Sequence, residues 1–136
     1  MADLELVRSR AESFVDDPAL LGTPIAVKDA GGALTSWFVP ILAGASLVGF
    51  VEILPDLTHR RTSWFADAPA ASSWLDPVAI RTRAATALAD DEIVGEPSLS
   101  FDGSPDRLAW AVPVRGARGD RIVFVAGDVV WPSEAR

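Results

Sequence analysis

The only histidine of the chain, His59, is the first candidate for acid–base chemistry, because an imidazole titrates near neutral pH. It directly precedes Arg60 and Arg61. Catalysis by this histidine would need a nucleophile within hydrogen-bond reach, and the sequence offers only serines outside any motif, such as Ser46 and Ser63. The pattern is more typical of a solvated strand edge, where charged side chains oppose aggregation.

Two further patterns approach known motifs without matching them. Residues 44–49 differ by one position from the G-x-S-x-G nucleophile pattern, and they lie in a predicted hairpin. The acidic runs at 16–17 and 90–92 carry carboxylates, but their spacing is not that of a calcium-binding loop. We therefore predict a protein that is not an enzyme, with no catalytic residue, no metal site and no cofactor.

Composition and charge limit the classes of partner. The chain has 136 residues, 49% of them hydrophobic and 23% charged, which is typical of one folded domain and not of a disordered tail. A net charge of −7 repels phosphate backbones and anionic lipid headgroups. Cysteine is absent, which excludes a disulfide scaffold and a thiol nucleophile. We expect neither nucleic acid nor a membrane as partner.

Neither a targeting segment nor a membrane span is predicted. The first five residues are acidic and lack the basic and apolar regions of a signal peptide. The longest apolar stretch, near residues 39–53, is interrupted by Pro40 and Glu52 and does not supply the roughly 20 apolar residues of a span. The expected location is cytoplasmic.

An internal repeat is the strongest signal in the sequence. A gapless shift of 73 positions aligns the two halves with ten identical pairs, where composition alone would give roughly five. The pairs are Asp3/Asp76, Arg8/Arg81, Arg10/Arg83, Ala11/Ala84, Asp17/Asp90, Gly22/Gly95, Pro24/Pro97, Asp29/Asp102, Trp37/Trp110 and Pro40/Pro113. The alternative is a coincidence between two halves of similar architecture.

Each half is predicted to begin with a helix and to continue with strands. Asp3 and Asp76 are expected N-caps, and the helices are expected to end near Asp16 and Asp90. Apolar residues alternate with others over 108–114 and over 35–41, which is typical of half-buried strands. Residues 102–105 and 29–32 are expected to form the preceding hairpin loops.

These elements predict an α+β fold. It consists of two repeats of a helix followed by three or four antiparallel strands, which form a shared sheet with the helices on one face. The repeats span about 3–65 and 76–136, joined by a connector at 66–75, within a single compact domain over 1–136. The motivation is that a unit of about 65 residues has a marginal core of its own.

Aromatic and apolar residues that break the repeat predict a binding surface. Duplication constrains a shared core, so residues without an aromatic counterpart in the second half are free to specialise. Tryptophan and phenylalanine are also frequent anchors of interfaces. The predicted interface residues are Phe38, Leu42, Phe50, Trp64, Phe65 and Trp74. The alternative is that Trp64 and Trp74 cap the sheet as core residues.

The second half resembles a PepSY-type unit, the small module of protease propeptides and of stand-alone bacterial proteins. The resemblance is carried by residues 96–99, 108–114 and 121–125, with residues 127–130 after them. Pro113 and the absence of tyrosine depart from the family's pattern. The resemblance implies a module that is not an enzyme and that inhibits or regulates a partner, often a protease.

The predicted function is therefore that of a non-enzymatic binding or regulatory protein, with an inhibitor-like module as one form of it. Its partner is expected to be a protein, a peptide or a second copy of the chain in a homodimer. The alternative is a carrier of a small apolar ligand in a cavity lined with aromatic side chains. An enclosed aromatic cavity would favour the carrier, and an exposed flat patch would favour the protein partner.

Overall fold

The structure, a computed structural model, describes residues 3–104 and 106–133. The chain divides into two compact units, Met1–Ala71 and Ser72–Arg136. Strands account for 44% of the described residues and helices for 21%. The short helix α2 (Ala71–Trp74) lies where the chain passes from the first unit to the second.

The first unit contains one helix and a four-stranded antiparallel sheet. Helix α1 covers Leu4–Glu12, and a 3₁₀ turn follows at Pro18–Leu20. The strands, in the order β1-β2-β3-β4, are β1 (Ile25–Lys28), β2 (Leu34–Ala43), β3 (Ser46–Ile53) and β4 (His59–Trp64). Beyond β4 the chain stays beside β3, because the Leu47 amide donates to the Pro69 carbonyl and the Ala71 amide to the Ala45 carbonyl.

The second unit contains helix α3 (Pro77–Ala84), a 3₁₀ turn at Ala85–Ala87 and a five-stranded antiparallel sheet. Its strands are β5 (Ile93–Val94), β6 (Ser98–Phe101), β7 (Leu108–Gly116), β8 (Gly119–Ala126) and β9 (Val129–Pro132). Both β5 and β6 pair with β7, which pairs in turn with β8, and β9 pairs with β8.

The pairing of β1 with β2 and that of β6 with β7 have the same register. Trp37 lies opposite Ala26, and Trp110, 73 positions later, lies opposite Leu99. The amide of Gly22 donates to the Pro40 carbonyl at 2.8 Å, and the amide of Gly95 donates to the Pro113 carbonyl at 2.7 Å. A Cβ atom at either glycine would lie 2.9 Å from the proline ring, so both close approaches require glycine.

Both predicted N-caps are confirmed. The Asp3 carboxylate accepts from the Glu5 amide at 2.9 Å, and the Asp76 carboxylate accepts from the Val78 amide at 3.1 Å. These caps satisfy amides that have no partner within the first helical turn. In the first unit the helix contributes to a core of buried apolar residues, namely Val7, Ala11, Leu21, Trp37, Val39, Ile41, Val51 and Ile53.

The predicted α+β fold, with two helix-then-strand repeats in one shared sheet and the helices on one face, is wrong. The described chain is mostly β, and its strands form two separate antiparallel sheets. The helices are shorter than expected, since α1 ends at Glu12 and α3 at Ala84. Residues 13–16 form turns, so Phe14 and Val15, whose spacing predicted a longer helix, pack against the core from outside α1.

Some sequence predictions lie outside the described residues or stay untested. Pro105 of the predicted hairpin loop and the end of the predicted second repeat at 134–136 are not among the described residues. The assignment of the whole chain to one domain made of two repeats stays a prediction. The longest helix in the described part of the chain has nine residues, so none there could cross a bilayer.

Candidate functional site

The predicted interface residues of the first sheet are mostly buried. Phe38 is 0% and Phe50 7% exposed, and their rings stack with centroids 4.6 Å apart. Phe65 is half-buried and tilts against Phe50 at 6.0 Å, and Leu42 is also half-buried. The structure therefore brings Phe38, Phe50 and Phe65 into one aromatic cluster, which is not an exposed patch.

The two predicted interface tryptophans have opposite environments. Trp64 ends strand β4 and is 64% exposed, whereas Trp74 is 5% exposed. The Trp74 carbonyl accepts from the Trp110 indole at 2.8 Å, and the two rings meet edge to face at 6.4 Å. Trp64 is thus the member of the predicted set that is available at the surface, and its role in an interface stays a prediction.

His59 is held by contacts that give it a packing role. Its ring stacks on Phe14 with centroids 3.8 Å apart, and its Nε2 atom lies 2.9 Å from the Thr62 hydroxyl. Neither partner is a carboxylate that would orient a catalytic imidazole. Within residues 3–104 and 106–133, no group of three or more His, Cys, Asp or Glu side chains could hold a metal ion.

A buried carboxylate forms the densest polar cluster of the first unit. Glu52 is 2% exposed and accepts from the Ser36 hydroxyl at 2.5 Å. It also accepts from Arg60 Nη1 at 2.7 Å and from Arg61 Nε at 2.8 Å. A carboxylate this deeply buried is tolerated because charged donors replace its hydration. All these partners belong to the protein itself, so the cluster connects β2, β3 and β4 without a ligand.

A β-bulge explains how two consecutive arginines reach one carboxylate. Successive side chains of a strand normally point to opposite faces. The pairing of β3 with β4 shifts register here, because Glu52 lies opposite Arg61 whereas the next residue, Ile53, lies opposite His59. The extra residue, Arg60, is left without a cross-strand partner, and such a bulge redirects side chains. The arginines are therefore ion-paired, not the solvated charges expected from sequence.

A second polar cluster ties the loop before β5 to the β7–β8 hairpin in the second unit. Arg121 donates from Nε and Nη2 to the two carboxylate oxygens of Glu92, each at 2.8 Å. Glu92 also accepts from the Ala89 amide at 2.8 Å. Asp91 accepts from the Ala117 amide, in the turn between the strands, at 2.7 Å. The hydrogen bond from Arg121, followed by that from the Ala89 amide, lowers the pKa of Glu92 to about 2.

The hairpin fixed in this way borders three adjoining cavities, which we call the hairpin groove. Their volumes are about 470, 360 and 300 Å³. Neighbouring cavities share lining residues, since Arg121 borders two of them and Arg115 borders two. The groove is also lined by Ile93, Pro113, Arg118, Asp120 and Ile122.

Two guanidinium groups of the hairpin groove are unpaired. Arg115 and Arg118 are exposed, and neither has a hydrogen-bond or ion-pair partner within the described part of the chain. The acidic residues around them are mostly occupied, because Glu92 binds Arg121 and Glu96 accepts from Arg81 at 2.6 Å. The charge of Arg118 acts on Glu92, but the hydrogen-bond donors of both guanidinium groups remain unused among the described residues, on a protein of net charge −7.

The groove also has an apolar component. Ile93 is 70% exposed, which is unusual for so large an aliphatic side chain. Pro113 is exposed and Ile122 half-buried, and they lie opposite each other on β7 and β8. Apolar surface beside unpaired donors is the combination by which binding sites gain affinity and orientation.

The corresponding position of the first unit is filled. Leu42 stands 73 positions before Arg115 and is half-buried, and Pro40, the counterpart of Pro113, is buried. A Cβ atom on Gly22 would lie 3.1 Å from a methyl group of Leu42, whereas the contacts of the equivalent Gly95 are to Pro113 alone. The hairpin groove is thus a feature in which the second unit differs from the first.

Sequence reasoning missed this groove although one signal for it was present. The shift of 73 positions pairs Leu42 with Arg115, so the break in the repeat was visible from either half. The predicted interface consisted instead mainly of aromatic residues, among them Phe38, which is buried in the structure. An arginine in place of a leucine on a strand is equally a sign that one face has become exposed.

Comparison with known proteins adds no assignment. No protein-family model, curated protein or solved structure matches the chain significantly.

Proposed function

We propose that the chain is a non-enzymatic binding protein whose hairpin groove takes an extended acidic segment of a partner protein. The observation that carries the proposal is that Arg115, which has no hydrogen-bond or ion-pair partner among the described residues, lines a cavity with the exposed Ile93 and Pro113, while Arg118 lines an adjoining cavity. The resemblance to PepSY-type units agrees with such a role, since it implies regulation of a partner without catalysis.

Charge complementarity selects an acidic partner. A guanidinium group presents a planar fork of donors that matches a carboxylate. The net charge of −7 does not prevent an acidic segment from binding at the groove, because charges beyond roughly 8 Å are screened at physiological ionic strength. Within the groove, Asp120 lies opposite Arg115 in the pairing of β7 with β8 and does not form an ion pair with it. Asp120 therefore weakens the attraction for an acidic segment.

The lining of the groove favours a polar segment over a small apolar ligand. Among the described residues, none that lines the three cavities is aromatic. The alternative of a carrier with an aromatic cavity therefore receives no support from this groove. The packed ring of His59 supports a role without catalysis. The proposal keeps a cytoplasmic location, because a chain without cysteine does not depend on an oxidising compartment.

Binding of fluorescent peptides, followed by anisotropy, tests this function. Three sets of heptapeptides with the same apolar residue carry glutamates, glutamines or lysines. We expect the glutamate set to bind and the other two to bind at least tenfold more weakly. Arg115→Ser and Arg118→Ser should each weaken binding of the glutamate set, whereas Asp120→Asn should strengthen it.

The matched control is Arg107→Ser. Arg107 is an exposed arginine of the same unit, with a side chain 66% exposed, and it does not line the groove. Its replacement removes the same charge and should leave binding unchanged. Equal binding of the three peptide sets, or equal loss in Arg107→Ser and Arg115→Ser, would show that the groove is not the binding site.

A further inference from the structure

The outer edge of strand β5 is a second feature in which the two units differ. We infer that this edge pairs with the acidic segment, which adds to the sheet of the second unit as a further strand; the inference rests on the proposed function. The segment would form hydrogen bonds with the backbone amide and carbonyl of Val94. Addition of a strand to an open sheet edge is a recurring way in which proteins recognise an extended peptide.

The pairing of β5 with β7 leaves the backbone of Val94 directed away from β7. Val94 lies opposite Val114. The next pair in this register is joined by the bond from the Gly95 amide to the Pro113 carbonyl, at 2.7 Å. Because hydrogen-bonded and non-hydrogen-bonded pairs alternate along an antiparallel ladder, Val94 and Val114 are a non-hydrogen-bonded pair. The Val94 amide and carbonyl therefore point to the outer edge of β5, where no other strand of the described residues pairs with it.

The first unit closes the equivalent edge with its own groups. Leu21 stands 73 positions before Val94 and forms a bridge with Ile41. The Leu21 amide donates to the Pro18 carbonyl at 3.1 Å, and the Leu21 carbonyl accepts from Arg8 Nη2 at 3.2 Å. Leu21 is only 5% exposed. Both of its backbone groups are thus occupied within the unit, and this edge has no place for a further strand.

The second unit leaves the same edge open. Arg81, the counterpart of Arg8, donates to the Glu96 carboxylate at 2.6 Å instead of to a backbone carbonyl. In the part of the chain that the structure describes, neither the amide nor the carbonyl of Val94 has a hydrogen-bond partner. Val94 is half-buried. Unpaired backbone groups at a sheet edge are a template for pairing with another chain.

The open edge borders the hairpin groove. Val94 lines the cavity of about 360 Å³ together with Ile93, Pro113 and Arg115. Ile93 and Arg115 lie directly opposite each other, so their side chains share one face of the sheet. A strand added beside β5 would present every second side chain on this face, where a carboxylate would lie across Ile93 from Arg115. Backbone pairing at Val94 and the charge of Arg115 would therefore act on the same segment.

Backbone methylation of the peptide tests the added strand without changing any side chain. The glutamate heptapeptide that binds wild type most tightly is N-methylated at one amide at a time, and anisotropy gives the affinity of each product for the full chain. A methyl group removes the donor and keeps the two backbones apart. We expect methylation of one amide to weaken binding at least fivefold. Methylation of the amides next to it, which point away from β5, should weaken binding less than twofold.

Val94→Pro removes the donor on the protein. Proline is tolerated at edge positions whose amide faces outward, and the Val94 amide takes no part in the ladder with β7. Val94→Ala is the matched control, because it shortens the side chain and keeps the amide. We expect Val94→Pro to bind the unmodified peptide at least fivefold more weakly than Val94→Ala, with thermal unfolding to check that both variants fold. If Val94→Pro does not fold, the methylated peptides on wild type decide alone.

The outcomes separate the added strand from the proposed function. Equal affinity of all the methylated peptides, with binding still lost in Arg115→Ser, would overturn the added strand and leave the proposed function standing. Binding that is sensitive to methylation but equally tight for glutamine peptides would leave the added strand standing and overturn the selection of an acidic partner. Absence of binding by both sets of peptides would overturn both.

Discussion

Arg121 binds both carboxylate oxygens of Glu92, with Nε and Nη2 each 2.8 Å from an oxygen. Two parallel bonds of this kind are stronger and more directional than a single contact between point charges. Arg121 donates in addition to the Ala87 carbonyl at 2.9 Å. One side chain thus fastens the end of the 3₁₀ turn and the acidic loop to strand β8, which forms one side of the hairpin groove.

This arrangement predicts acid sensitivity of the second unit. The pKa of Glu92 falls from 4.5 to about 2, chiefly through the hydrogen bond from Arg121. A carboxyl whose pKa is lower in the folded state stabilises the fold above its unfolded pKa, and that stabilisation is lost as pH falls through the folded value. We therefore expect the free energy of unfolding to decrease between pH 4.5 and 2.

Urea unfolding at several pH values checks this expectation. Wild type should lose more stability over this interval than Glu92→Gln, whose side chain cannot titrate. Asp128→Asn is the control, because Asp128 is 98% exposed and its contact with Arg83 is long, at 3.8 Å. Identical pH profiles for wild type and Glu92→Gln would contradict the assigned role of Glu92.

Trp37 and Trp110 give a matched pair for the energetics of a buried indole. Both are buried, at 9% and 6% exposure, and they pair in the same register with the preceding strand, β1 or β6. The Trp110 indole donates to the Trp74 carbonyl, whereas the Trp37 indole has no partner within the described residues. We expect Trp110→Phe to cost about 1–2 kcal/mol more than Trp37→Phe, since only the first breaks a hydrogen bond.

Chemical denaturation of the two variants measures this difference. The lost volume is the same in both substitutions, so the cost of the cavity largely cancels in the comparison. Equal losses of unfolding free energy would contradict the assigned difference in hydrogen bonding.

Local signals in the sequence predicted local structure well. Asp3 and Asp76 are the N-caps expected from their positions, because capping depends on a side chain and on amides two or three residues away. The predicted alternation of β7 is confirmed from Trp110 to Val114, whereas Ala109, expected on the opposite face from Trp110, is also buried. Such patterns record which face of a strand is buried, and they do not record which strands join into one sheet.

The long-range contacts could not be predicted in the same way. Glu52 was read only as an interruption of an apolar stretch, yet the bulge at Arg60 gives it two charged partners. A bulge is one extra residue in a ladder and leaves no periodic trace in the sequence. The same holds for the bond from Arg121 to Glu92, which joins residues 29 positions apart.

The Glu52 cluster predicts a large effect of a conservative substitution. Glu52→Gln keeps the shape of the side chain but removes the charge that compensates Arg60 and Arg61. We expect a loss of about 2–4 kcal/mol of unfolding free energy, because breaking a buried pair leaves uncompensated charge. Glu96→Gln is the control. Glu96 is 82% exposed and pairs with Arg81, a surface interaction worth about 0–1 kcal/mol.

Urea titrations at neutral pH measure the unfolding free energy of both variants. A loss in Glu52→Gln no larger than that in Glu96→Gln would mean that the Glu52 cluster is solvated in solution. The double variant Glu52→Gln, Arg61→Gln should recover part of the loss, since it removes one of the two uncompensated cations.

The last prediction is that Trp64, at the end of strand β4, takes part in an interface. Its ring is 64% exposed and lies over Gly49, where an added Cβ would meet the ring at 2.9 Å. A large exposed indole held against backbone is well suited to anchor a partner or a second copy of the chain. We expect wild type to contain dimers in light scattering at high protein concentration and Trp64→Ala to be monomeric.

The comparison with Trp74→Ala separates an interface from a core role. Because Trp74 is 5% exposed and its ring packs edge to face against Trp110, its truncation should lower the unfolding free energy by about 3–5 kcal/mol. Trp64→Ala should change it by less than about 1 kcal/mol, since an exposed ring buries little area. A wild-type chain that stays monomeric at all concentrations, together with a large loss of stability in Trp64→Ala, would make Trp64 a packing residue instead of an interface residue.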